Sequence, residues 1–220
     1  MSTTRAVEGD KPSGPRSRKG MQTRTRLVEA ARTVFEEHGF LDARISDIAE
    51  GAGLSHGSFY HYFESKDEVF LEVAEAQEDR LSSHSVVDSG LLDPASPGTF
   101  RDRLRESNRA YLADYRDAAR LMGVIEQVSR YHDQVGATRF ARQQLYTRRA
   151  EDSIRHLQHV GLADPDLDAS VAAPALTAMV TRFAEMWFVQ GLVDRSFDEG
   201  VEQLTSLCVN ALQLKDPPKS

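Results

Sequence analysis

Residues 45–63 read ISDIAEGAGLSHGSFYHYF. Two short apolar-patterned segments flank a glycine-bearing turn of three to four residues, the layout of a helix-turn-helix. The spacing has a steric logic. Ala49 lies where the two helices cross, and a small side chain lets them approach. Gly53, four residues on, can adopt a left-handed backbone without a Cβ penalty. Phe59, six residues further, falls from the second of these helices onto Ile48 and onto the helix before. That second helix is then held as a projecting rod of the kind that enters a DNA major groove.

Outward from this stretch the chain reads as helix after helix. From Gln22, the residues Leu27, Ala30, Ala31, Val34 and Phe35 recur at helical spacing, with Gly39 as a C-cap. The second helix is expected over Ile45–Ala52 and the third over His56–Phe63, capped by Ser55. A fourth, capped by Ser65, begins at Lys66 and buries Val69, Phe70 and Val73. Turn-forming residues mark Asp88–Gly98 as a loop. Further helices are expected over Thr99–Tyr115, Ala118–Ser129, Gln134–Val160, Leu167–Gln190 and Phe197–Leu214, with breaks at Gly161–Pro165 and Gly191–Arg195. No strand-like alternation of useful length occurs, so the fold class is all-α. The expected organisation is a disordered basic arm over 1–20, a helix-turn-helix domain over 21–66 and a larger helical domain over 67–220.

Charge is unevenly spread. The chain carries a net charge of −7, which taken alone argues against nucleic acid. Yet residues 11–26 hold Lys11, Arg16, Arg18, Lys19, Arg24 and Arg26 with no acidic residue, whereas 67–220 hold 17 basic and 25 acidic residues. DNA meets the local field, not the average. A single cysteine, Cys208, excludes an intramolecular disulfide and a Cys-rich zinc site. No apolar run reaches the ~18–20 residues of a membrane helix, and the polar N-terminus is no secretory signal. A cytoplasmic protein without a cofactor is expected.

The segment from Thr23 to Val73 resembles the DNA-binding domain of the TetR family of repressors. Three runs carry the likeness: Ala31-x-x-Val34-Phe35-x-x-x-Gly39-Phe40; Ile48-Ala49-x-x-Ala52-Gly53; and Leu54-Ser55-x-Gly57-Ser58-Phe59-Tyr60-x-Tyr62-Phe63-x-Ser65-Lys66-x-x-Val69. The resemblance implies a dimeric, ligand-released repressor on a palindromic operator. It places Ser55, His56, Gly57, Ser58 and His61 at the groove or its phosphates, and Tyr60, Tyr62 and Lys66 on phosphates. Thr23 and Arg24 would lie near the DNA backbone. Arg16, Arg18 and Lys19 would form an arm for the minor groove. The chain departs from the family's usual Thr-Thr before the second helix, having Ala43 and Arg44. Arg44 cannot cap through an oxygen and is read as a DNA contact, which leaves the cap of the second helix open.

In the larger domain, the wide apolar stripes of the last two helices suggest a dimer interface of Leu176, Met179, Val180, Phe183, Val201, Leu204, Cys208 and Ala211. A pocket for an apolar small-molecule effector is expected from Tyr111, Tyr115, Met122, Ile125, Gln127, Phe140 and Trp187. Asp152, His156 and His159 share a helix face at metal-ligand spacing, but Arg148, Arg149, Glu151 and Arg155 around them suggest a solvated charged face. The chain lacks a Gly-rich phosphate loop and a nucleophile motif. No catalytic or metal site is therefore expected. The alternative is a helical adaptor, or an enzyme on a related scaffold, that does not bind DNA.

Overall fold

The computed structural model describes residues 18–83 and 99–215. Among the described residues the chain forms nine helices and no strand: α1 (Arg18–Asp42), α2 (Ile45–Gly51), α3 (His56–Phe59), α4 (Lys66–Ser82), α5 (Phe100–Asp117), α6 (Ala119–Ser129), α7 (Asp133–His159), α8 (Ala169–Phe188) and α9 (Phe197–Leu212). None is long and apolar enough to cross a membrane. Arg16, with most of the expected basic arm, and the loop expected over Asp88–Gly98 lie outside the described residues.

The caps follow the chemistry of helix starts, where orphan N–H groups need acceptors. Ser55 Oγ accepts from Ser58 N at 3.2 Å, and Ser65 Oγ from Glu68 N at 3.1 Å. Capping boxes open α5 (Thr99 with Asp102) and α9 (Ser196 with Glu199). Arg44 precedes α2 without a side-chain cap, as its chemistry dictates. Gly39, at φ 72° and ψ 178°, breaks the helical path near the end of α1.

Two expectations about element ends change. The helix opening at His56 closes after four residues, at Phe59. Tyr60–Tyr62 then form a turn, which lets Phe63 fold back under Phe59 at 5.6 Å between ring centroids. Arg18 and Lys19 stand in the first turn of α1, not in an extended arm.

One apolar core runs from the N-terminal helices into the body. Leu27, Phe35, Ile48, Phe59 and Phe63 share it with Phe70 and Val73 of α4 and with Tyr115, Leu121 and Ile125 of α5 and α6. Phe35, Phe40 and Phe70 form an aromatic triangle with centroids 4.8–5.9 Å apart. The boundary expected at residue 66 therefore crosses continuous packing. α1 lies against α4 and α6, α4 against α7, α7 against α8, and α5 against α9. α4 thus belongs to both parts, and anything that moves it moves both.

Candidate nucleic-acid interface and ligand cavity

The surface built by α2, α3 and the following turn is polar and open. Arg44, Ser55, His56, Gly57, Tyr60 and His61 are exposed, and Ser58 and Tyr62 half-buried. Beneath them Phe59 and Phe63 are fully buried, so the exposed groups sit on a fixed base. Tyr60 is 50% exposed and packs edge-on to His56 at 5.4 Å. A Cβ built on Gly57 would meet no atom within 4 Å. Among the described residues nothing requires glycine there, and the bare backbone leaves room for an external surface to approach closely. Ser55 serves as the cap of α3 and also shares a 2.7 Å hydrogen bond with Ser58 Oγ.

Two residues assigned to phosphate or backbone contact, Lys66 and Arg24, are turned inward. Lys66 Nζ donates to the carbonyls of Phe40 at 2.6 Å, Ala43 at 3.0 Å and Leu41 at 3.1 Å, and lies 4.7 Å from the Phe40 ring centroid. An ammonium has three protons, and all three are taken by the end of α1 and the residue after it. Arg24 donates to Tyr62 O at 2.6 Å, pairs with Glu72 and covers the Phe63 ring at 4.1 Å. It staples α1 to the turn after α3. Thr23 Oγ1 donates to Lys19 O at 3.0 Å within α1. These partners are 23 to 48 residues away for Lys66 and Arg24, so no local spacing reveals them.

The residues matching "Bacterial regulatory proteins, tetR family" are 27–73. These residues form a DNA-binding domain of the TetR-family type. YdgC of Bacillus subtilis, named as an uncharacterised HTH-type transcriptional regulator, is 46% identical over 55 residues, which is 25% of this chain and 28% of that protein. The transcriptional repressor AcnR of Corynebacterium efficiens is 32% identical over 85 residues, 39% of this chain and 40% of AcnR. The chain thus matches well under half the length of these curated relatives. The TetR-family regulator PfmR of Thermus thermophilus superposes with a TM-score of 0.61 at 20% identity, covering 86% of this chain and 97% of PfmR. That likeness extends the shared fold across the body, beyond the domain where the sequences match.

In the body of the chain, a cavity of about 580 Å³ lies among α4 to α9. Of the residues expected to line it, Tyr111, Met122 and Phe140 do. Tyr115 and Ile125 are instead packed in the core, and Gln127 is exposed. Trp187 stacks on Phe188 and Phe197 and rests over Gly200, where an added Cβ would come within 2.0 Å of the indole.

The residues missed are polar. Arg139 of α7 donates through Nε to Glu78 of α4 at 3.2 Å, and through Nη1 to Glu126 of α6 and to Ser129 Oγ at 3.1 Å. Tyr146 Oη donates to the carbonyl of Glu78 at 2.7 Å. Burial pushes the Glu78 carboxyl up from the ordinary carboxylate range, against the opposing pull of Arg139. Burial acts on Glu126 in the same sense, but the hydrogen bonds and charges of Arg139 and Arg130 outweigh it and hold that carboxyl down. Arg139 therefore ties three helices together at the cavity wall. Glu78 and Arg139 are 61 residues apart, and neither stood out in the sequence.

The expected dimer surface needs correction as well. Val201, Leu204 and Cys208 are at most 5% exposed within the single chain, so they cannot meet a partner. α9 spends that stripe on its own body, mainly α5. Leu176 and Val180 line the cavity. Met179 and Phe183 are half-buried against the core, and Ala211 is exposed. The large outward apolar residues of α8 and α9 are Val171, 64% exposed, and Leu207, 54% exposed. Asp152, His156 and His159 are exposed on α7.

Proposed function

We propose that the chain is a cytoplasmic, sequence-specific DNA-binding regulator that represses transcription as a homodimer on a palindromic operator and is released by a small-molecule effector. The observation that carries this reading is the α3 surface. His56, Gly57, Tyr60 and His61 are exposed together, on a rigid base of Phe59 and Phe63, beside an Arg44 side chain that holds no hydrogen bond or ion pair among the described residues. His56, Gly57 and His61 suit the groove, while Tyr60 and Arg44 suit phosphates. Arg18 and Lys19, exposed at the start of α1, add positive charge at the same end. The repressor AcnR, similar over this region, supports the sign of regulation. The function is one of binding, and no catalytic step is assigned.

Dimerisation through the outer faces of α8 and α9, with Val171, Ala211 and Leu207, would set two α3 rods against successive major grooves. A twofold protein then reads a twofold site. The effector would occupy the cavity. Glu78 stands twelve residues along α4 from Lys66, about 18 Å at helical rise, so a ligand acting at Arg139 and Glu78 bears on the helix that supports the α3 surface. Release requires that the ligand prefer the body conformation that misplaces the two rods.

The test is fluorescence anisotropy with DNA selected from a random pool, in rising salt. Site-specific binding whose affinity falls steeply with salt, and which His56→Ala with Tyr60→Phe abolishes without changing the melting curve, is the expected result. Retention of full affinity by that double variant would sink the proposed surface.

A further inference from the structure

The cavity is long, and its two ends differ in chemistry. α7 contributes Arg139 at one end and Ile154 and Leu157 at the other. Fifteen residues separate Arg139 from Ile154, about 22 Å along a helix. α5 runs beside it from Tyr111 to Phe100, about 16 Å by the same rise. A volume of about 580 Å³ over such a length makes the cavity elongated, with room for an extended chain. The far end is lined by Phe100, Leu104, Ile154, Leu157 and Leu212. Arg103 also lines it, with its guanidinium 4.3 Å over the Phe100 ring.

The near end holds an open hydrogen-bonding edge. Arg139 uses Nε on Glu78 and Nη1 on Glu126 and Ser129. Its Nη2 donates no hydrogen bond to any of the described residues. A guanidinium offers five N–H donors and remains charged at every accessible pH, so two donors are left for an acceptor from outside. The neighbouring Glu78 is already engaged, accepting from Arg139 Nε at 3.2 Å. Two other carboxylates at this end are already paired: Glu126 with Arg130 and Arg139, and Glu185 with Arg182.

We infer that the cavity's ligand is a long-chain monocarboxylate, its carboxylate on the Nη2 edge of Arg139 and its hydrocarbon extended towards Phe100, Leu157 and Leu212. Carboxylate on guanidinium is the strong, planar pairing that this donor edge favours. The ligand also competes with Glu78 for the same guanidinium, which connects occupancy to α4. The inference rests on the effector reading of the cavity given above.

Direct binding tests it, on the full chain and without DNA, by calorimetry with dodecanoate, dodecylamine and dodecanol below their micelle concentrations. Dodecanoate is expected to bind at least tenfold more tightly than the other two. Arg139→Gln should erase that preference while leaving dodecanol affinity unchanged. Glu78→Gln, which removes the competitor and keeps the shape, should strengthen dodecanoate binding several-fold with no change for dodecanol, and it serves as the test if Arg139→Gln does not fold. A preference for the amine, equal affinities, or a carboxylate preference lost in Arg103→Gln but unmoved by both other variants overturns the inference. Operator binding is measured separately. DNA recognition without dodecanoate binding overturns only the ligand class, and dodecanoate binding without DNA recognition overturns only the regulator reading.

Discussion

Replacing Lys66 with methionine separates two roles that this lysine could have. A phosphate contact acts only when DNA is present. A lysine that closes the end of α1 acts in the free protein. The geometry favours the second, with Nζ held by three carbonyls at 2.6–3.1 Å. Methionine keeps the stem that covers Phe40 and removes the donors, so packing is largely preserved. A hydrogen bond to a charged group is worth about 1.5–3 kcal/mol, and a cation at a helix C-terminus adds about 0.3–1 kcal/mol. Lys66 is only half-buried, so water can replace part of what is lost, and the sum of three such bonds is not expected. A loss of about 2 kcal/mol follows, or about 4–8 °C in Tm for a chain of this size. The assay is thermal and urea unfolding of the DNA-free protein, beside the salt dependence of operator affinity. An unchanged melt together with a salt slope reduced by about one would refute the capping role and restore the phosphate contact.

Three other substitutions or probes test separate parts of the structure. Tyr60→Phe removes one hydroxyl from a residue that is 50% exposed; operator affinity should fall about tenfold, the value of one hydrogen bond to a charged oxygen, with the melt unchanged. Leu207→Glu, on the outer face of α9, should give a folded monomer by sedimentation, whereas Leu204→Glu, at 1% exposure, should unfold the chain; a dimeric Leu207→Glu protein would move the interface elsewhere. Burial pushes the Cys208 thiol up to about 11, leaving roughly one thiolate in a thousand at about pH 8, so Ellman's reagent should react with it only after denaturant is added.

What could be read in the sequence was local. The Ala49–Gly53–Phe59 spacing, the caps at Ser55 and Ser65 and the 3.6-residue stripes each depend on neighbours within a turn or two, and each is present in the structure. What misled was chemistry whose partner lies far along the chain. Lys66 and Arg24 look like free cations until the carbonyls of residues 40–43 and 62 are folded against them. Arg139 belongs to no motif of the sequence, and only its approach to α4 and α6 makes it part of a cavity wall. The stripes of α8 and α9 carry the most instructive ambiguity. An amphipathic pattern states that a face is buried; it does not state against what. Val201, Leu204 and Cys208 satisfy that demand inside the subunit, so any contact with a second copy must fall to the few apolar residues left outside. The same argument bears on the cavity. Of the aromatic residues that attracted attention as lining, Tyr111 and Phe140 do face the cavity, Tyr115 and Trp187 are spent on packing, and the polar end of the wall is set by Arg139 and the carboxylates it holds.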